Sequence, residues 1–82
     1  MTRISVEEAA RLIGCRPDTI RAQMAKKTLG EAHWLDIGYA DPPEGKRNRW
    51  NYYVLAPMLA SALGFTGEQL EAELEKLRAA ND

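Results

Sequence analysis

Ile4-Ser-Val-Glu-Glu-Ala-Ala-Arg-Leu-Ile-Gly-Cys-Arg-Pro-Asp-Thr-Ile-Arg21 decides the fold, because this short run holds a helix start, a helix stop and a second helix start. Ser5 is placed to cap a first turn, and Glu8, three residues on, to reach back to it. Val6, Ala9, Ala10 and Ile13 recur at i, i+3, i+4 and i+7, the apolar stripe of a short helix. Gly14 ends that helix, since the residue just past a helix commonly needs a positive φ. Pro17 suits the first turn of a second helix. Asp18 suits the positive end of its dipole, and Lys26 and Lys27 the negative end. Ile20 and Met24 form its inner stripe. Two short helices joined by a tight glycine turn make a helix-turn-helix unit over residues 5–27.

Beyond Leu29-Gly30 the period changes to two. In 34–40, Leu35, Ile37 and Tyr39 alternate with Trp34, Asp36, Gly38 and Ala40; in 49–54, Trp50, Tyr52 and Val54 alternate with Arg49, Asn51 and Tyr53. Both segments are aromatic and β-branched, as strands prefer. Asp41-Pro-Pro-Glu-Gly-Lys-Arg-Asn48 between them has loop composition, so the spacing predicts a β-hairpin over 34–54 with a long basic tip. Arg3-Ile4 is a candidate third strand. Pro57 opens a third helix over 57–63, stopped by Gly64. Thr66 and Gln69 form a second capping box for a helix over 66–80, with Phe65 stapled onto Leu70. Leu70, Leu74 and Leu77 line one face of it; the other is acidic, with Glu73–Lys76 and Glu75–Arg78 spaced for ion pairs. The expected class is α+β, mostly helical, with residues 1–82 forming one domain that ends in an amphipathic helix.

The chain has 82 residues, 45% hydrophobic and 28% charged, an ordinary globular balance. That length excludes a barrel enzyme or a doubly wound nucleotide fold. One cysteine and one histidine exclude an internal disulfide and leave no set of zinc ligands. No run approaches the roughly 20 apolar residues of a membrane span. The N-terminus has no signal-peptide or transit-peptide pattern, so a cytoplasmic location is expected. The net charge of −1 hides an asymmetry. Residues 1–64 carry nine Lys/Arg against seven acids, and residues 65–82 two against five. The bases cluster at 16–27 and in Lys46-Arg-Asn-Arg49, and local potential, not net charge, decides whether a face attracts phosphate.

The opening run resembles the start of the excisionase-like and MerR-like winged-helix families. Those begin with an acidic-Ala-Ala step, then Gly, then a Pro-x-Thr-aliphatic-Arg turn into the recognition helix. The matching positions are Glu8, Ala9, Ala10, Gly14, Pro17, Thr19, Ile20 and Arg21, and the match covers roughly residues 4–27. Arg16 departs from it, standing where these families often have a Ser cap; the helix loses a cap and gains a base. An unusually hydrophobic stretch also precedes the hairpin, which leaves its register open.

The resemblance implies a winged helix-turn-helix that binds duplex DNA, with helix 17–27 in the major groove and the hairpin as a wing on the backbone or minor groove. The residue types fit that chemistry. Ala22, near the centre of the outward arc, permits close approach to base edges. Arg16 or Arg21 can fork onto guanine, Gln23 onto adenine, and Thr19 onto a base or phosphate. Lys26, Lys27, Lys46, Arg47 and Arg49 suit phosphates, with Asn48 beside them at the tip, and Arg47 also suits a narrow minor groove. Asp18 repels phosphate, so its expected role is to stabilise the helix N-terminus. Cys15 is expected to pack, His33 to lie in surface or hairpin structure, and Trp34, Trp50, Tyr39, Tyr52 and Tyr53 to build the hairpin core, Tyr53 being the best candidate for an exposed contact.

No Ser/His/Asp arrangement, phosphate loop or isolated carboxylate pair suggests catalysis. The expectation is a non-enzymatic DNA-binding protein with no metal, cofactor or small-molecule substrate. It would be an excisionase-type recombination directionality factor or a small transcriptional regulator of a phage or other mobile element. Duplex DNA is the expected partner, with a recombinase or a second copy of the chain as further candidates. The alternative is a winged-helix protein-interaction module that binds no DNA.

Overall fold

The computed structural model describes residues 3–46 and 48–80. Four helices and one antiparallel hairpin follow in the order α1 (Val6–Ile13), α2 (Pro17–Thr28), β1 (Gly38–Asp41), β2 (Asn51–Val54), α3 (Ala56–Leu63) and α4 (Gly67–Ala80). The local signals set these limits. The Ser5 hydroxyl accepts from the Glu8 N–H and the Glu8 carboxylate accepts from the Ser5 N–H, both at 3.0 Å. Gly14 takes φ 88° and donates its N–H to the Ala10 carbonyl, which closes α1. The Thr66/Gln69 box opens α4 in the same reciprocal way, at 2.8 and 3.1 Å. No side chain caps α2 at Arg16; Pro17 starts it instead.

α1 packs on α2, α2 on β1, and α3 on α4. Ile20 and Met24 of α2, Ile37, Leu59 of α3 and Leu74 of α4 are the largest fully buried side chains, and Ala9 and Ala10 let α1 approach closely. Leu12, Ile13, Cys15, Trp50, Tyr52 and Val54 pack around that cluster from its edges. Cys15 thus packs as expected.

The hairpin pairs Gly38 with Val54, Tyr39 with Tyr53, Ala40 with Tyr52 and Asp41 with Asn51. Both strands are shorter than the periodicity indicated. The alternation through 34–40 also breaks: Leu35, Ile37, Gly38 and Ala40 are buried, while Tyr39 is 47% exposed. Leu35 and Ile37 plug the core from the connection ahead of β1, and the inward face changes phase where pairing begins. Gly38 shows why pairing begins there, since a Cβ at that position would lie 1.9 Å from the Tyr53 carbonyl oxygen. Ile4 forms a single antiparallel bridge to Val54, so the proposed third strand is one residue pair.

The expected aromatic core is also divided. Trp50 and Tyr52 turn inward and stack, with centroids 6.4 Å apart. Tyr39 and Tyr53 stack at 4.8 Å on the opposite, solvent-facing side, and Trp34 is 63% exposed. Alternation puts these tyrosines across from each other and away from the helices. Glu73 and Lys76 pair at 3.5 Å as their spacing suggested, but Arg78 does not take Glu75. Its guanidinium crosses to α1 and grips Glu8, whose carboxylate is already held in place by the Ser5 N–H. Among the described residues, no helix is long and apolar enough to cross a membrane.

Candidate functional site

The outer side of α2 is the first element of the site. Ile20 and Met24 face the core, which leaves Arg16, Ala22 and Lys26 exposed and Thr19 and Arg21 half-buried. Among the described residues Arg16 and Lys26 have no ion-pair partner. Arg21 forks: Nη1 donates to Asp18 at 3.1 Å and Nη2 to Glu7 of α1 at 3.2 Å.

Two residues of α2 are spent elsewhere. Gln23 is only 7% exposed, and its Oε1 accepts from the Trp34 N–H at 2.9 Å. This corrects its expected place on the base-reading face: the amide fastens the connection after α2 to the helix. Lys27 is half-buried, with its ammonium bonded to the Asp36 carboxylate and, at 2.9 Å, to the Gly38 carbonyl. It ties α2 to β1 rather than standing free for phosphate. Thr28 adds to that seam by donating to the Met24 and Ala40 carbonyls.

The hairpin supplies the second element. Lys46, Asn48 and Arg49 are exposed, and Arg47 lies outside the described residues. Arg49 meets α2 in space. Together with Arg3, Glu7, Arg21, Trp50 and Asn51 it lines an open cleft of about 470 Å³ between the start of α1, α2 and the start of β2. Three arginines and one acid, Glu7, line it, and Glu7 pairs with Arg21. The cleft thus unites Arg21 and Arg49, two of the residues singled out in the sequence. It excludes Lys46 and Asn48 and adds Arg3 and Glu7.

Arg3 and Glu7 were missed because they gain their meaning only through tertiary placement. The one available signal was the suspected pairing of Arg3-Ile4 with the hairpin. The Ile4–Val54 bridge brings the segment alongside β2, and Arg78 Nη2 donates to the Arg3 carbonyl at 2.8 Å. Burial pushes the Cys15 thiol pKa up, away from the reactive thiolate. His33 is exposed, with Nδ1 3.0 Å from the Glu31 carbonyl. Among the described residues no three His, Cys, Asp or Glu side chains converge as metal ligands. No family model, no curated protein and no solved structure matches the chain.

Proposed function

We propose that this chain is a sequence-specific duplex-DNA-binding protein of the winged helix-turn-helix kind. In this reading α2 enters the major groove, and the hairpin rests as a wing on the backbone or minor groove. One observation carries it: Arg21 of the helix and Arg49 of the hairpin line a single open cleft, so cations from both elements act on one side of the molecule. Ala22, exposed on a helix that also exposes Arg16 and Lys26, is the second support, because a small residue on a cationic helix lets it approach base edges. Arg16 and Thr19 are the remaining base-reading candidates, and Lys26, Lys46 and Arg49 the phosphate contacts. The resemblance of residues 4–27 to excisionase-like and MerR-like proteins makes a recombination directionality factor or a small transcriptional regulator the two roles in view.

Duplex binding measured by fluorescence anisotropy across a salt series tests this. Each phosphate contact contributes roughly 0.9 to the slope of log K against log salt, so affinity is expected to fall steeply. Absence of binding at low salt, or binding indifferent to salt, overturns the reading. The exposed Trp34, Leu29 and Tyr39 favour the second reading, a protein-interaction module, in that event.

A further inference from the structure

The arginine-lined cleft already contains an anion, the carboxylate of Glu7. We propose that Glu7 is a built-in competitor for DNA: one phosphodiester oxygen takes its place on Arg21, with Arg3 and Arg49 closing on the same phosphate. This rests on the DNA-binding reading and assigns a specific function to one acidic residue within it.

Three observations support the exchange. First, the Arg21 pairs are weak enough to yield. The side chains of Glu7 and Asp18 are 59% and 94% exposed, and ion pairs so open to water are readily screened and replaced. A phosphate oxygen offers the guanidinium an equivalent charge-assisted bond. Second, the cleft carries an excess of positive charge that Glu7 alone does not balance. Arg3 and Arg49 have no ion-pair partner among the described residues. Third, the wall bearing Arg3 is built before any ligand arrives, because the Ile4–Val54 bridge and the Arg78 bond to the Arg3 carbonyl hold its backbone. Glu7 sits in the first turn of α1, where the helix dipole favours a carboxylate. Helix stability therefore keeps an anion at the mouth of a site meant for another.

The contrary role for Glu7 is to hold Arg21 in a binding-ready pose, and the two roles differ in sign. The test compares Glu7→Gln with the intact chain for binding to one duplex at low salt. Glu44→Gln, at the hairpin turn outside the cleft, serves as a control for net charge. Both substitutions are repeated in an Arg21→Ala background, and circular-dichroism melts verify folding. The expected result is a roughly three- to tenfold tightening for Glu7→Gln, a clearly smaller one for Glu44→Gln, and no gain from Glu7→Gln once Arg21 is gone. Weaker binding by Glu7→Gln overturns the proposal and leaves DNA binding standing. An equal gain with and without Arg21 also overturns it, since the effect would then be one of bulk charge. If the intact chain and its variants bind no duplex, the DNA reading and this proposal fall together.

Discussion

Arg78 and Glu8, 70 positions apart in the chain, form a two-point clasp: Nε donates to Oε2 at 2.6 Å and Nη2 to Oε1 at 3.1 Å. The same Nη2 also reaches the Arg3 carbonyl. One guanidinium therefore joins α4 to the capping box of α1 and to the backbone that carries Arg3.

The clasp makes stability depend on acid. The Arg78 hydrogen bond, aided by the Ser5 N–H and opposed by partial burial, lowers the Glu8 carboxyl pKa from 4.5 to about 2. The same bond pushes the Arg78 guanidinium pKa up. A lowered carboxyl pKa stabilises the folded chain above the unfolded value and stops doing so as pH falls through the folded one. A contribution on the order of 2 kcal/mol, reduced for the pair's open side, is expected in full at about pH 5 and lost by about pH 2. Thermal melts across that range should fall more steeply for the intact chain than for Arg78→Gln. Parallel curves would show that the clasp contributes nothing.

Gly38→Ala should be among the most damaging single substitutions. The added methyl would meet the Tyr53 carbonyl oxygen at 1.9 Å and carbon at 2.9 Å, both backbone atoms that move only if the strands part. A loss of at least about 3 kcal/mol, or no folded state, is expected in urea titrations. Gly14→Ala is the useful contrast. Its site is open and only the positive φ is unfavourable, for a cost of about 1 kcal/mol.

Gln23→Leu should destabilise the fold and, under the proposed DNA-binding role, leave sequence preference unchanged. It leaves the Trp34 N–H without its acceptor, at a cost of about 1 kcal/mol. A change in preferred base at any position of a randomised duplex library would place Gln23 at the DNA after all.

Lys26 and Lys27 are neighbours with opposite expected phenotypes. Lys26→Ala removes an exposed cation and, under the proposed DNA-binding role, should lower the salt slope of binding by roughly 0.9 with little effect on melting. Lys27→Ala removes the link to Asp36 and Gly38, so it should lower the melting temperature. Its effect on the salt slope should be the smaller of the two.

What the sequence made legible was local. Ser5 with Glu8, Thr66 with Gln69, and Gly14 after α1 are decided within four residues, and each stands where those signals put it. The order of four helices and a hairpin follows from the same cues. Tertiary partners were not legible: Glu75 was as good a partner for Arg78 on spacing alone as Glu8 proved to be in space. The strand phase failed for a related reason. Leu35 and Ile37 are spaced like strand residues but only fill the core, and pairing waits for the glycine that the Tyr53 carbonyl requires. At the site, Arg21 and Arg49 were legible as cations. Gln23 and Lys27 have side chains suited to DNA but partners in the fold, and Arg3 and Glu7 enter the cleft only through the meeting of distant segments.

The clasp also imposes an order on biosynthesis. Synthesis runs from the N- to the C-terminal side, so Ser5 and Glu8 can wind α1 before Arg78, 70 positions on from Glu8, exists. Closing so large a loop costs more chain entropy than winding one turn, and the closing bond comes after the elements it joins. A nascent chain halted before α4 would lack the seal between α1 and α4, and with it the core side chains Leu70 and Leu74. What such a chain would lack is the Arg78 grip on Glu8 and on the Arg3 carbonyl, while the Glu7–Arg21 pair and the Ile4–Val54 bridge need nothing from α4.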